Sequence, residues 1–532
     1  MSVLLSIDGL SVALPPGADR AFALQDVALE LRANEILCIV GESGSGKSMT
    51  AGAVLGLLPP GVRAATGRVL LDGQDLLTMS QADLRGVRGA RIGMIFQEPM
   101  TALNPLRTIG DQIGEMFRTH TALPASTISQ RVAELLADVR IPDPEAAARA
   151  YPHELSGGQR QRAMIAMALA LEPHVLIADE PTTALDVTTQ AQILRLIRDL
   201  QRRKGTGVLF ITHDFGVVAE IADRVAVMQH GRIVEQGTAD AVLNRPQHTY
   251  TKALIAAVPP LQPPDATPVA AEPALTVAGV CKTFRPDGWW GRGGRTVPAV
   301  RDVSLELPRG STLGIVGESG SGKSTLARCI LRLLEPDAGS VQLGATDLAA
   351  LPRRALRAQA GRIQMVFQDP YASLNPRRRA GDLVAQGLVI RGMPKARALA
   401  RARQLFELVG LDPEAIGRYP HEFSGGQRQR IGLARALALE PEVLVADEPV
   451  SALDVSVQAQ VLRLLADLRA QLGLSILFIT HDLRVAAQIC DRILVMQHGA
   501  VVEGGSVAAV FGNPMHPYTQ SLLASVPGRH WA

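Results

Sequence analysis

Two copies of one octapeptide carry the first chemical signal in the chain. Gly41-Glu42-Ser43-Gly44-Ser45-Gly46-Lys47-Ser48 follows the apolar run Ile36 to Val40, and Gly317-Glu318-Ser319-Gly320-Ser321-Gly322-Lys323-Ser324 repeats it. The spacing G-x-x-x-x-G-K-S directly after a strand makes a phosphate-binding loop. Its glycines let the backbone curl until successive N–H groups face phosphate oxygens, and the helix that follows adds the positive end of its dipole. Lys47 and Lys323 are expected to reach the β- and γ-phosphates, and the hydroxyls of Ser48 and Ser324 to ligate Mg²⁺. Met49 and Thr325 follow the two serines. One match can be an accident; two, each trailed by the same further motifs, cannot.

Asp179-Glu180 and Asp447-Glu448 end further apolar runs. Adjacent carboxylates are costly to hold together without a cation, so the pairing itself argues for metal. Asp179 and Asp447 suit the Mg²⁺ shell, and Glu180 and Glu448 suit orienting and deprotonating an attacking water. The plain alternative is an acidic strand end or helix cap.

These groups need elements to position them, and the chain supplies each element twice. Phe96-Gln97-Glu98-Pro99 returns as Phe367-Gln368-Asp369-Pro370, displaced by 271 positions. Ser156 to Arg162, Ala178 to Pro181 and Ile211 to Asp214 all return displaced by 268. The order is kept and the indels are small, so a domain of about 250 residues is duplicated. Val258 to Thr276 contains six prolines, which favours an extended, semi-rigid spacer. The expected layout is a first domain at 1–258, a linker at 259–273 and a second domain at 274–532. Within each copy, runs apolar on both faces (Ile36 to Val40, Val175 to Ala178, Val208 to Thr212) read as buried parallel strands. Gln190 to Gln201 and Gln458 to Gln471 carry apolar residues at helical spacing. The fold class is α/β, with ligand groups at strand ends.

Composition narrows the function. A net charge of +3 over 532 residues and an aromatic content of 4% speak against a nucleic-acid binder, which would need a broad basic surface or stacking rings. An apolar fraction of 47% is enough for two sizeable cores. Cys38, Cys281, Cys329 and Cys490 are far apart and suggest neither a local zinc site nor a disulfide framework; Cys38 reads as a small buried hydrophobe. The first residues lack the basic and apolar regions of a signal peptide. The longest apolar stretch, Ala163 to Leu171, falls short of the ~20 residues that cross a bilayer, so a soluble or peripheral protein is expected.

Leu155-Ser156-Gly157-Gly158-Gln159 and Phe423-Ser424-Gly425-Gly426-Gln427 resemble the signature of ATP-binding cassette proteins. The rest of that set is similar too: Gln97 and Gln368 as glutamine loops, Ala184-Leu185-Asp186 and Ala452-Leu453-Asp454 as D-loops, His213 and His481 as switch histidines. The resemblance covers nearly the whole chain. It implies two tandem P-loop cassettes, each a mixed sheet core with a helical subdomain, binding ATP and Mg²⁺ and hydrolysing ATP. Glu180, Glu448, His213, His481, Gln97 and Gln368 would be catalytic, with Gln97 and Gln368 also touching the metal. The two cassettes would close head to tail as an intramolecular dimer. Ser156, Gly157, Gly158 and Gln159 would then cap ATP held by Lys323, and Ser424, Gly425, Gly426 and Gln427 would cap ATP held by Lys47.

A narrower resemblance follows from Phe96 to Pro105, Phe367 to Pro376, Tyr151 to Leu155, Tyr419 to Phe423, His248 to Thr251 and His516 to Thr519. These are similar to segments of the peptide and nickel importer subfamily, and the fusion resembles the single-chain ATPase of microcin C and oligopeptide uptake. The histidines of these segments are not taken as catalytic. The resemblance implies two transmembrane permease subunits, an extracytoplasmic solute-binding protein, no nucleic acid, and a peripheral place on the cytoplasmic face of the bacterial inner membrane. Peptide is the expected cargo; nickel, glutathione or another small solute stay open.

Departures matter as well. Phe284 stands where the family stacks an aromatic on adenine; the first copy has Leu14 there, so stacking is weaker or falls to Phe22. The insert Arg285 to Arg295, with Trp289 and Trp290, has no partner in the first copy and reads as an incidental loop ahead of a membrane or permease contact. A ribosome-associated twin-cassette ATPase would carry a charged helical linker, and a DNA-repair cassette would carry zinc cysteines or coiled-coil inserts. Neither feature occurs.

Overall fold

The structure, a computed structural model, describes residues 2–182, 185–262, 272–285, 296–369, 373–451 and 453–531. The chain forms two units. The first comprises Met1–Leu185, Thr189–Val258 and Pro527–Trp531; the second comprises Asp186–Thr188 and Pro259–Val526. Most of the proline-rich joint (263–271), the Trp289-Trp290 insert (286–295), Ala184, Ala452 and positions 370–372 lie outside the described residues.

Short strands of aliphatic residues build the centre of each unit. In the first, a six-stranded sheet runs in the order Arg232–Thr238, Arg224–Gln229, Ile36–Val40, Gly207–Thr212, Val175–Asp179, Ile92–Ile95. Only the first two strands pair antiparallel. Ile36–Val40, Val175–Asp179 and Gly207–Thr212 are buried along their whole length, because both sheet faces are covered; that is why they read as unbroken apolar runs. The second unit repeats the sheet with Ile363–Val366, Val443–Asp447, Ser475–Thr480, Thr312–Val316, Arg492–Gln497 and Ala500–Ser506.

Register then sets the site. Val40 pairs with Thr212, Asp179 with Ile211, and Ile95 with Ala178. The carboxyl ends of four parallel strands therefore finish side by side on one edge, where open parallel sheets hold ligands. The second unit repeats this with Val316 opposite Thr480, Asp447 opposite Ile479, and Val366 opposite Ala446.

One face of the first unit's main sheet is covered by a four-stranded antiparallel sheet, Phe22–Arg32, Val3–Ala13, Arg63–Leu71 and Gln74–Asp75. Leu5, Ile7 and Leu24 share a core there with Leu37, Ile39 and Leu209. On the other face, residues of the helices Ile109–His120, Ala125–Asp138 and Gly157–Ala168 join the core of Ile36, Cys38 and Phe210. The periodic segments expected to be helical span Val187–Lys204 and Val455–Leu472. Trp531 belongs to the first unit, its ring 6.5 Å from that of Phe215 and its indole N–H donating to Asn244 at 3.1 Å.

All four cysteines are free. Cys38 is fully buried, and burial pushes its thiol up, out of the reactive range. Among the described residues no helix is long and apolar enough to cross a membrane. Phe210 and Phe478 are the matching fully buried aromatics of the two central sheets. Phe210→Ala or Phe478→Ala is expected to lower unfolding free energy by about 3–5 kcal/mol, read as an earlier transition in urea.

Candidate functional site

Each phosphate loop bridges a central strand to the helix Lys47–Val54 or Lys323–Ile330. Gly46 and Gly322 sit at the turn into that helix with φ of 111° and 104°. A Cβ on Gly322 would lie 2.2 Å from the Ala299 carbonyl oxygen, and one on Gly46 would lie 2.7 Å from Leu24. Conformation and space both demand glycine there.

The lysines curl back over the loops. Lys47 Nζ donates to the carbonyls of Gly41 (2.7 Å) and Glu42 (3.0 Å), and Lys323 Nζ to those of Gly317 and Glu318, both at 2.8 Å. Lys47 is 5% exposed and Lys323 4%. Burial holds the Lys323 ammonium below its ordinary pKa, while Glu448 and Asp447 pull against that shift. In the first unit Arg20 also reaches the loop, its Nη2 donating to the Gly44 carbonyl at 2.7 Å.

Ser48 Oγ donates to Asp179 Oδ1 at 3.1 Å, and Ser324 Oγ to Asp447 Oδ1 at 3.0 Å. Burial pushes both aspartates up from the usual carboxylate range, and the adjacent glutamate adds to it; the serine hydroxyls act in the opposite sense. A serine oxygen thus meets a buried carboxylate at each site. Hard oxygen donors of this kind suit Mg²⁺, which takes its remaining ligands from phosphate and water.

The glutamates sit one residue further on, in a backbone conformation uncommon for a side-chain-bearing residue: φ is 46° at both Glu180 and Glu448. Their N–H groups donate to Ile211 and Ile479, each at 2.9 Å. Gln97 Nε2 donates to Glu180 at 3.0 Å, and Gln368 Nε2 to Glu448 at 2.8 Å. His213 Nδ1 lies 3.2 Å from Glu180, and His481 Nδ1 lies 3.2 Å from Glu448. At Glu448 burial favours the neutral acid, but the His481 hydrogen bond and the charges of His481 and Lys323 outweigh it and hold the carboxyl below its usual range. Burial likewise opposes His481 protonation, and Glu448 overcomes it, raising the imidazole pKa.

The histidines are aimed by their neighbours. Asp214 N donates to Thr212 Oγ1 at 3.0 Å, and Asp214 Oδ1 caps the helix Phe215–Ile221 by accepting from Gly216 and Val217. Thr480 and Asp482 do the same before Leu483–Ile489. Ser156 and Ser424 are N-caps of Gly157–Ala168 and Gly425–Leu437. In each, the glutamine three residues on closes a capping box: Gln159 Oε1 accepts from Ser156 N at 2.9 Å and Gln427 Oε1 from Ser424 N at 3.0 Å. The ends of the signature helices are exposed at Ser156, Gly157 and Ser424.

Within each unit the expected lysine, serine, aspartate, glutamate, glutamine and histidine therefore meet at one sheet edge. A family model described as ABC transporter matches residues 24–183 and 300–451. The chain belongs to the ABC transporter family. It is an ATP-binding, ATP-hydrolysing protein of that family, and a second model, described as the oligopeptide/dipeptide transporter C-terminal region, matches residues 234–285 and 502–530. Over 527 residues the chain is 49% identical to a peptidoglycan transport ATP-binding protein, YejF, of Agrobacterium fabrum, covering 98% of this chain and 96% of that one. It is 48% identical to a glutathione import ATP-binding protein, GsiA, of Shigella boydii, covering 98% of this chain and 89% of the other.

Two features of the cassettes escaped the sequence. Arg20 on the first phosphate loop has no motif around it. Thr212 with Asp214, and Thr480 with Asp482, position the histidines; their signal was the repeated Thr-His-Asp itself. Phe284 ends the strand Pro273–Phe284 with 43% exposure, Leu14 and Phe22 are partly buried, and Met49 packs against the core of the first unit's paired sheets. Asp482→Ala is expected to cost roughly 1 kcal/mol through loss of the helix cap, seen as a lower melting temperature, whereas Asp482→Asn should keep most of it.

Proposed function

We propose that both cassettes hydrolyse ATP and that the chain drives uptake of short peptides through separate permease subunits. The observation that carries this reading is the glutamate held between a glutamine and a histidine beside a buried phosphate-loop lysine, built twice with distances alike to a few tenths of an ångström.

Gly41 to Ser48 with Met49, and Gly317 to Ser324 with Thr325, cradle the triphosphates, and Phe284 stacks on the adenine of the second cassette. Ser48 with Asp179, and Ser324 with Asp447, would hold Mg²⁺, with Gln97 and Gln368 as further ligand candidates. When bound, the ion neutralises charge developing on the phosphate oxygens. Glu180 and Glu448 accept the proton of the attacking water, and a base must be ionised to do so. The hydrogen bond with His481 supports that state for Glu448. His213 and His481 hold the carboxylates in line, and Lys47 and Lys323 counter charge on the γ-phosphate.

In this reading the cassettes work as a head-to-tail pair. Ser156 to Gln159 close over the nucleotide on Lys323, and Ser424 to Gln427 over that on Lys47. Exposed helix N-termini are natural anion seats, and the capping boxes keep them in shape. The spacer 259–273 keeps the cassettes at high effective concentration. Hydrolysis removes the bridge and permits reopening.

The second cassette has a cleft of about 770 Å³ lined by Phe367, Gln368, Leu383, Ile390, Arg435 and Leu439. An apolar groove with Gln368 in its wall suits a helix of a permease, and Gln368 in turn touches Glu448. Two transmembrane permease subunits and an extracytoplasmic solute-binding protein complete the importer, with this chain peripheral on the cytoplasmic face of the bacterial inner membrane. The oligopeptide/dipeptide C-terminal regions and the relatives named for glutathione and peptidoglycan transport support a peptide-containing cargo.

The double variant Glu180→Gln, Glu448→Gln is expected to lose at least ~100-fold in turnover while still binding ATP; turnover near that of the parent would overturn the assignment of the bases. Chelation should stop hydrolysis and added Mg²⁺ restore it. Ile390→Asp should sharply reduce recovery of the chain with its permeases from detergent extracts, and normal recovery would move the docking surface elsewhere.

A further inference from the structure

The segments His248 to Thr251 and His516 to Thr519, set aside as non-catalytic in the sequence, form a connected path to the phosphate loops. In the first unit, Glu235 lies on the strand Arg232–Thr238 and accepts the N–H groups of Gln247 (2.7 Å) and His248 (3.1 Å). His248 is the N-cap of the helix Thr249–Ala256, and its Nδ1 accepts from Tyr250 N at 3.2 Å. The Tyr250 hydroxyl then accepts the N–H of Glu42 at 3.2 Å and donates to that residue's carboxylate at 3.2 Å.

The second unit has the same path. Glu503 accepts from Met515 and His516 at 2.8 and 3.0 Å, His516 Nδ1 accepts from Tyr518 N at 3.2 Å, and the Tyr518 hydroxyl accepts from Glu318 N at 3.0 Å. Burial pushes the Tyr518 phenol up to about 12, so it keeps its proton near neutral pH.

The target of this hydroxyl is one particular peptide. Gly41 C=O and Glu42 N–H belong to a single rigid plane. Its N–H end is held by Tyr250, and its carbonyl end is where Lys47 Nζ rests at 2.7 Å. The plane joining Gly317 and Glu318 is held in the same way, by Tyr518 at 3.0 Å and Lys323 at 2.8 Å. Because a trans peptide directs its two polar groups oppositely, fixing one end fixes the other.

We propose that Tyr250 and Tyr518 are positioning residues for nucleotide binding, each clamping the first peptide of its phosphate loop and so aiming Lys47 or Lys323 at phosphate. The inference rests on the phosphate-loop reading given above. It gives the oligopeptide/dipeptide C-terminal regions, which contain both tyrosines, a direct part in holding ATP. A ring that merely fills space would not need its hydroxyl on a backbone N–H in both copies.

Phenylalanine keeps the ring and removes the clamp. In the full chain, Tyr250→Phe and Tyr518→Phe, made singly and together, are tested by titration with a fluorescent ATP analogue, by steady-state hydrolysis and by melting of the nucleotide-free protein. Each single variant is expected to weaken one of two sites about five- to tenfold, the loss typical of one removed hydrogen bond to a buried group. The double variant should weaken both sites. KM for ATP should rise by a similar factor with kcat changed less than about twofold, since the lysine meets phosphate in ground and transition states alike. The nucleotide-free melting temperature should fall by only about 2 °C, the scale expected when one hydrogen bond is lost from a domain of about 250 residues with its ring packing unchanged.

Affinity within twofold of the parent in the double variant would overturn the inference. So would a loss of affinity matched by a melting-temperature drop of several degrees, which would mark a purely structural role. Lys47→Ala and Lys323→Ala separate the two readings. If they abolish binding while the tyrosine variants do not, only the clamp fails; if they bind ATP normally, the phosphate-loop reading fails with it.

Discussion

An ammonium group kept almost out of water, resting on two backbone carbonyls, is the constraint around which each cassette is organised. Lys47 and Lys323 are 5% and 4% exposed. A buried charge is tolerated only with close partners, and the carbonyls of residues 41, 42, 317 and 318 provide them. That requirement fixes the loop's curl and reserves Gly46 and Gly322 for glycine. It also places the loop at the end of a strand whose neighbours finish level with it. The parallel register then brings the adjacent aspartate and glutamate to the same edge as a lysine and a histidine that are distant in sequence.

Duplication allows an internal comparison. Interactions next to the phosphate loop agree closely between copies: serine to aspartate at 3.1 and 3.0 Å, histidine to glutamate at 3.2 Å in both. Differences collect around the place expected for the base. Leu14 stands opposite Phe284, Met49 opposite Thr325, and Arg20 bonds the first loop alone among the described residues. The polar cluster at the strand ends is alike in the two units while residues around the phosphate loops differ, which is the pattern expected if both cassettes turn over but hold ATP unequally.

Much of this was legible in the residues because short, fully buried strands leave an unmistakable trace. Ile36 to Val40, Val175 to Ala178 and Val208 to Thr212 announced themselves as unbroken apolar runs, and the helices at Val187–Lys204 and Val455–Leu472 by their period. Contacts among distant polar groups left no such trace. Nothing in the sequence says that Gln97 donates to Glu180 across 83 positions, or that Tyr250 reaches back across 208 to Glu42. The histidines at 248 and 516 cap helices, and that work needed coordinates to be seen. Local motifs are written in spacing; long-range hydrogen bonds are written in topology.

Glu180 and Glu448 share a φ of 46°, a region that costs an ordinary L-residue of this kind about 1–2 kcal/mol. Asparagine or glycine would be more at ease there. A laboratory lineage enriched solely for heat resistance would accordingly be drawn toward those substitutions and, with these glutamates as the proposed bases, would shed turnover as it gained ruggedness. Only a screen that demands work from the engine, alongside survival, keeps both carboxylates in their uncomfortable posts.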